Sequence, residues 1–186
     1  MKLSNLALYT ISNSIMHLGW GLVGPFYYLY INQIGGSIEE FGIAFGIMTF
    51  VSSLGAIFAG KYSDILGRKP FLLGVSILYS ITIFSYTLIS SVIELYVLQA
   101  VFGVLLAIEE TVHPTFLGDI TKRSKRGFQL GIYRFIVGMF SGSAIMLGGL
   151  LVGQAGFKII FYIGAVLIAL GTLVLFALKE TVRRRR

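Results

Sequence analysis

Apolar residues fill six long stretches of the chain, and the polar residues between them come in short clusters. A run of about 20 mainly apolar residues is the length of an α-helix that crosses a bilayer. The pattern predicts helices over 6–31, 41–60, 70–90, 93–117, 129–152 and 159–178, forming one domain over 1–178 with a basic tail over 179–186. Ser12, Asn13, Ser14 and His17 interrupt the first stretch, and Pro25 predicts a kink in it. Phe26, Tyr27, Tyr28 and Tyr30 gather near its far end, as an interfacial aromatic belt would. Small residues stripe the second stretch at Gly42, Gly46, Ala56 and Gly60, and the fifth at Gly131, Gly138, Gly142, Gly148 and Gly149. Such stripes predict close approach of helix backbones in lipid.

Composition turns this pattern into a fold class. Of 186 residues, 56% are hydrophobic and only 12% are charged, with a mean hydropathy of +0.86. A soluble domain is about one quarter charged. So few charges do not cover a water-facing surface, and the bilayer is the expected solvent. The expected class is an all-α membrane protein with no soluble domain. The one lysine and the long apolar run at the start read as a retained first helix rather than a cleaved leader. Cysteine is absent, which excludes disulfides, thiolate metal sites and a cysteine nucleophile. No cofactor or metal site is expected.

The net charge of +7 suggests nucleic acid until its placement is considered. All 15 Lys and Arg except Lys158 and Arg134 fall on one side of the predicted hairpin array. They are Lys2, then Lys61, Arg68 and Lys69, then the four of the 118–128 segment, then Lys179 and the arginines 183–186. This bias predicts an inner-membrane protein with both termini in the cytoplasm. The positive charge is then a topology signal and an attraction to anionic membrane lipid, and no nucleic-acid partner is expected.

The densest charge cluster of the first half is Gly60-Lys61-Tyr62-Ser63-Asp64-Ile65-Leu66-Gly67-Arg68-Lys69-Pro70. It reads as a short hydrophilic loop between the second and third helices. Gly67 permits a tight turn, and Pro70 suits the first turn of the next helix. Gly60, Asp64, Gly67, Arg68 and Lys69 resemble, in spacing and position, the signature loop of the major facilitator superfamily. Asp119, Arg126 and Gly127 resemble that family's segment between helices 4 and 5. Gly156-Phe157-Lys158 with Phe161, and Leu178-Lys179-Glu180-Thr181, resemble its turns into and out of helix 6. The resemblance covers the whole chain but only the N-terminal half of a twelve-helix member. It implies two inverted three-helix repeats. It implies movement of a small solute by alternating access, not an enzyme activity. It gives the signature loop the role of a cytoplasmic latch, and makes a second six-helix half or a second copy of the chain the expected partner. Two departures weaken a drug-antiporter assignment. Gln99 stands four residues before Gly103, where that branch often has arginine, and Ala144 and Ile145 replace its Gly-Pro.

Ionisable residues inside apolar helices cost roughly 3 kcal/mol each by insertion scales, so they are paired, wet or neutral. Here they are His17, Glu109, Glu110, His113 and Arg134, with Gln99 as a further polar candidate. At 1.5 Å per residue, Arg134 lies about 8 Å from the cytoplasmic end, the two glutamates about 12 Å and His113 about 6 Å. Arg134 is therefore expected to pair with Glu109 or Glu110, leaving the other for the cavity. Glu109 and His113 share a helix face, and Pro114 invites a bend. The set suggests proton-coupled transport, with sodium coupling or uniport as alternatives. His17 reads either as a neutral interhelical histidine or as a proton-sensitive cavity group, and Gln99 as an interhelical hydrogen-bonder or a ligand. The rival readings for the chain are a non-transporting scaffold or receptor, an inactive truncated half, and, more weakly, an intramembrane enzyme.

Overall fold

The computed structural model describes residues 4–181, which contain no β-strand. Seven α-helices follow in order: α1 (Asn5–Val23), α2 (Tyr27–Gln33), α3 (Ile38–Leu66), α4 (Arg68–Ser85), α5 (Val92–Ile120), α6 (Arg126–Ala155) and α7 (Phe157–Leu175). The first stretch is broken at Gly24-Pro25-Phe26, a single 3-10 turn that joins α1 to α2. Four of the described helices are long and apolar enough to cross a membrane: α3, α5, α6 with the short turn before it, and α7. The polar residues within α1, and Arg68, Lys69 and the serines of α4, dilute the other two.

Local chemistry sets the helix ends. Ser37 and Glu40 form a capping box at the start of α3, and Ser91 and Glu94 form another at α5. Gly67 (φ 98°) stops α3, and Gly156 (φ 78°) stops α6. Both occupy backbone that residues with a Cβ rarely adopt. The expected loop around Asp64 is therefore far shorter than predicted. Residues to Leu66 are helical, and α4 begins one residue after Gly67. The third helix ends at Ser85 rather than near 90, the fourth runs on to Ile120, and the fifth starts at Arg126 rather than 129. α5 continues through Pro114 without interruption.

The helices pack in an open order with α3 and α6 at its ends. α3 lies on α5, α5 on α4, α4 on α7, α7 on α1, and α1 on α6. Two apolar cores fill the bundle. One gathers Leu22, Val23, Tyr30, Ile83, Leu95 and Phe161, and the other Tyr9, Val112, Phe116, Tyr133 and Leu175. Tyr30 is 1% exposed, so it belongs to this core and not to an interfacial belt. α3 and α6, each packed along one flank, present Phe50, Ile57, Phe135 and Met146 outward.

Close backbone approach occurs at Gly148 of the expected stripes and otherwise at glycines outside them. A Cβ on Gly103 would lie 2.5 Å from the Met48 carbonyl oxygen, and one on Gly19 would lie 2.7 Å from that of Gly164. Gly21, Gly148 and Gly171 are equally tight against facing backbone or side chains. Gly42, Gly46, Gly131, Gly138 and Gly142 meet nothing within 4 Å, so they serve no helix contact within the chain.

Candidate functional site

At one end of the bundle four elements meet around Arg68, the first residue of α4. Its guanidinium donates to the Asp119 carboxylate near the end of α5 and, at 2.8 Å, to the Thr115 carbonyl. It also reaches Asp64 Oδ1 on α3 at 3.3 Å. Thr181 donates its hydroxyl to the same Asp119 oxygen at 3.0 Å. The Arg68 side chain is 15% exposed, Asp119 35% and Asp64 68%. Asp119 is thus the anchor of this clasp, and Asp64 is its outward-facing, loosely held member.

The segment after α7 closes the clasp from the other side. Glu180 accepts from the backbone N–H groups of Arg68 and Lys69, each at 3.1 Å. A carboxylate is well placed there, where the first N–H groups of a helix lack intrahelical partners and the macrodipole is positive. Gly67 makes room for it, since a Cβ at that position would lie 2.6 Å from Glu180 Oε2. Lys69 Nζ donates to the carbonyls of Phe176 (2.8 Å) and Leu178 (2.6 Å), which follow the end of α7. Arg126 likewise donates to the Gly118 carbonyl at 2.6 Å. Gly60 lies in the body of α3, 3.4 Å by its virtual Cβ from Thr111 of α5. The role of Glu180 escaped sequence reasoning, because a lone acid in a basic tail carries no sign that it caps a helix more than a hundred residues earlier.

The second cluster lies deeper, between α1, α5 and α6. His113 Nδ1 is 3.0 Å from Glu109 Oε1, and its Nε2 is 3.2 Å from the Tyr133 hydroxyl. Tyr9 of α1 packs edge-on to His113 at 5.3 Å and stacks on Tyr133 at 6.2 Å. With Glu109 ionised, an Nδ1–H donates to it and Nε2 accepts from Tyr133. The imidazole thus links a carboxylate on its own helix to a hydroxyl on α6.

The other predicted residues stand apart. Arg134 makes no ion pair among the described residues and is exposed, so the expected bond to Glu109 or Glu110 is absent. The reason is helical phase: Tyr133 points into the bundle, and the next residue turns about 100° away. Glu110 is exposed as well. His17 bonds back to its own helix, Nδ1 lying 2.9 Å from the Asn13 carbonyl. Gln99, 2% exposed, accepts from the Tyr86 hydroxyl at 2.9 Å. Among the described residues no group of three His, Cys, Asp or Glu is placed to hold a metal ion.

Arg68 thus sits one position beyond the helix-breaking Gly67 and is anchored on Asp119 near the end of α5. The family model described as Major Facilitator Superfamily matches residues 9–186. The chain belongs to the major facilitator superfamily. It is similar to YitZ, named an MFS-type transporter of Bacillus subtilis, at 29% identity over 86% of this chain and 98% of that one. It is similar to the multidrug resistance protein MdtG of Proteus mirabilis at 30% identity, over 87% of this chain and 42% of MdtG. YuxJ, named an MFS-type transporter of Bacillus subtilis, is 29% identical over 91% of this chain and 45% of its own. The chain therefore spans less than half the length of MdtG and YuxJ, and nearly all of YitZ. As a member of this superfamily it is an integral membrane protein of a transport family, not an enzyme.

Proposed function

We propose that the chain moves a small solute across the membrane by alternating access, as one six-span half of a twelve-helix assembly. Counting α1 with α2 as one bent span gives six spans. The packing order supports two related three-helix units. Exchanging spans 1, 2 and 3 for 4, 5 and 6 turns the α3–α5 contact into α6–α1 and the α1–α7 contact into α5–α4, and it leaves α4–α7 unchanged. The Lys and Arg distribution supports an inner-membrane location with both termini in the cytoplasm. On that reading the clasp around Arg68 lies at the cytoplasmic end.

The observation that carries the proposal is the uneven hold on the two aspartates. Arg68 is fixed by Asp119 and the Thr115 carbonyl, and Lys69 by the carbonyls after α7, while Asp64 stays 68% exposed on one long bond. Asp64 is free to take a donor or a helix N-terminus from a second half when the cytoplasmic side closes, and to release it when that side opens. The Glu109–His113–Tyr133 chain supports proton coupling. The partner is a second six-span chain or a second copy of this one.

Gradient-driven uptake into proteoliposomes tests this, with the chain alone and with the product of any adjacent six-span reading frame. Uptake that needs two halves and is lost in Asp64→Asn supports the proposal. Absence of uptake with either partner across a panel of solutes, in vesicles where the chain is folded, would leave a non-transporting scaffold as the better reading.

A further inference from the structure

A separate chamber of about 220 Å³ lies at the opposite end of the bundle from the clasp, between the α1–α2 bend and helices α3, α4 and α5. Five aromatic rings line it: Trp20, Tyr27, Phe45, Tyr86 and Phe102. They are held by one another and by neighbours. Trp20 meets Phe102 edge-on at 5.5 Å and Tyr79 at 4.9 Å, and Tyr27 meets Tyr86 at 5.5 Å. Leu106 is the deepest lining residue on α5, and Glu109 lies about 5 Å further along that helix, so the chamber is distinct from the Glu109–His113 cluster.

One polar group in the lining lacks a hydrogen bond of good geometry, and a second is only half used. The Tyr27 hydroxyl is buried and has no hydrogen-bond partner among the described residues. Tyr86 donates to Gln99 Oε1 at 2.9 Å, which occupies one end of the amide and keeps the other end for an occupant. Buried polar groups are nearly always satisfied, so an orphan hydroxyl beside a half-used amide points to something that completes them. No Asp, Glu, Lys, Arg or His lines the chamber. An unpaired cation at membrane depth is costly, and ring faces alone return only part of that. The occupant is therefore neutral. A dry apolar cavity of about 150 Å³ holds benzene, so this one has room for a second fused ring.

We propose that this chamber binds a neutral bicyclic aromatic molecule carrying one hydrogen-bonding group, with its rings against Trp20, Phe45 and Phe102 and its polar atom on Tyr27 and Gln99. The site is built wholly within this chain, so the proposal stands apart from the transport reading and from any second half.

Trp20 is the single tryptophan of the chain, which makes it a built-in reporter. The protein is prepared with 5-fluorotryptophan, placed in nanodiscs and titrated with 2-naphthol or naphthalene while the 19F line is followed. The expected result is a saturable shift with both, 2-naphthol binding more tightly. In Tyr27→Phe the 2-naphthol affinity falls roughly 3- to 10-fold, the worth of one net hydrogen bond, and naphthalene is unchanged. Gln99→Met, a second variant of similar volume, gives the same selective loss. A shift that grows linearly with ligand reports partition into lipid only and overturns the proposal. So does equal loss for both ligands, or 2-naphthol affinity unchanged in both variants.

Discussion

Asp119→Asn and Asp64→Asn provide the sharpest contrast. Both remove one negative charge from an Arg68 partner, yet the structure gives the two sites different weights. Asp119 accepts from Arg68 and from Thr181, and the Arg68 side chain above it is 15% exposed. A partly buried hydrogen bond to a charged group is worth about 1.5–3 kcal/mol, and the 35% exposure of Asp119 places it at the lower end. Asp119→Asn should cost about 2 kcal/mol. Asp64 holds Arg68 by one 3.3 Å contact at 68% exposure. Exposed helix pairs of this spacing contribute about 0.3–0.5 kcal/mol, so Asp64→Asn should barely register. For a chain of this size each kcal/mol moves the melting temperature about 2–4 °C. Thermal unfolding of the purified protein, followed by far-UV circular dichroism, should therefore show a drop of about 4–8 °C for Asp119→Asn. Asp64→Asn should fall by less than about 2 °C. A cycle with Arg68→Ala should give a coupling to Asp119 several times larger than to Asp64. Equal destabilisation by the two substitutions would refute the assignment of Asp119 as anchor and of Asp64 as the member left free for a partner.

Three further outcomes follow from the same geometry. Glu180→Ala removes the acceptor from two N–H groups at the start of α4 and should cost about 0.5–2 kcal/mol, the usual worth of a helix cap, read by the same melts. Gly103→Val forces a side chain against the Met48 carbonyl and Val51 and should cost about 1–3 kcal/mol by overpacking, whereas Gly138→Ala meets nothing within 4 Å and should be tolerated. In a reconstituted uptake assay His113→Ala should remove the dependence of transport on a proton gradient, because it breaks both the Glu109 and the Tyr133 bonds. Glu110→Gln should leave that dependence in place, and the opposite ranking would remove the three-group chain from the coupling step.

How far the structure was legible in the sequence depended on whether the signal was local. The Glu109–His113 contact follows from four-residue spacing on one helix, and the close start of α4 after Gly67 follows from a glycine that can take positive φ. The extent of α3 did not follow. Lys61, Tyr62, Ser63 and Asp64 look like loop residues by polarity, yet polar residues beyond the apolar window continue a helix until a real breaker arrives, and here the breaker is Gly67. Arg134 was assigned a partner by depth alone. Depth carries no phase, and Tyr133 rather than Arg134 occupies the inward position. The glycine stripes held at Gly148 and failed elsewhere for a related reason: spacing shows that glycines share a face, not what that face meets. Gly42 and Gly138 face away from every helix of this chain, while the tight crossings fall at Gly19, Gly103 and Gly171. The Glu180 cap joins segments distant in the chain, and only the fold brings them together.

The account rests on the basic turns, with the Arg68 clasp among them, lying on the cytoplasmic face of a six-span array. The natural chain has no cysteine, so single cysteines can be read without background. Gln33→Cys, Ser90→Cys and Gln154→Cys report the turns at one end of the bundle, and Ser124→Cys reports the turn between α5 and α6 at the other. In intact cells a membrane-impermeant maleimide should label the first three and spare Ser124→Cys, which should react only in inverted vesicles. Labelling of Ser124→Cys from outside intact cells, or mixed labelling among the other three, would contradict the account.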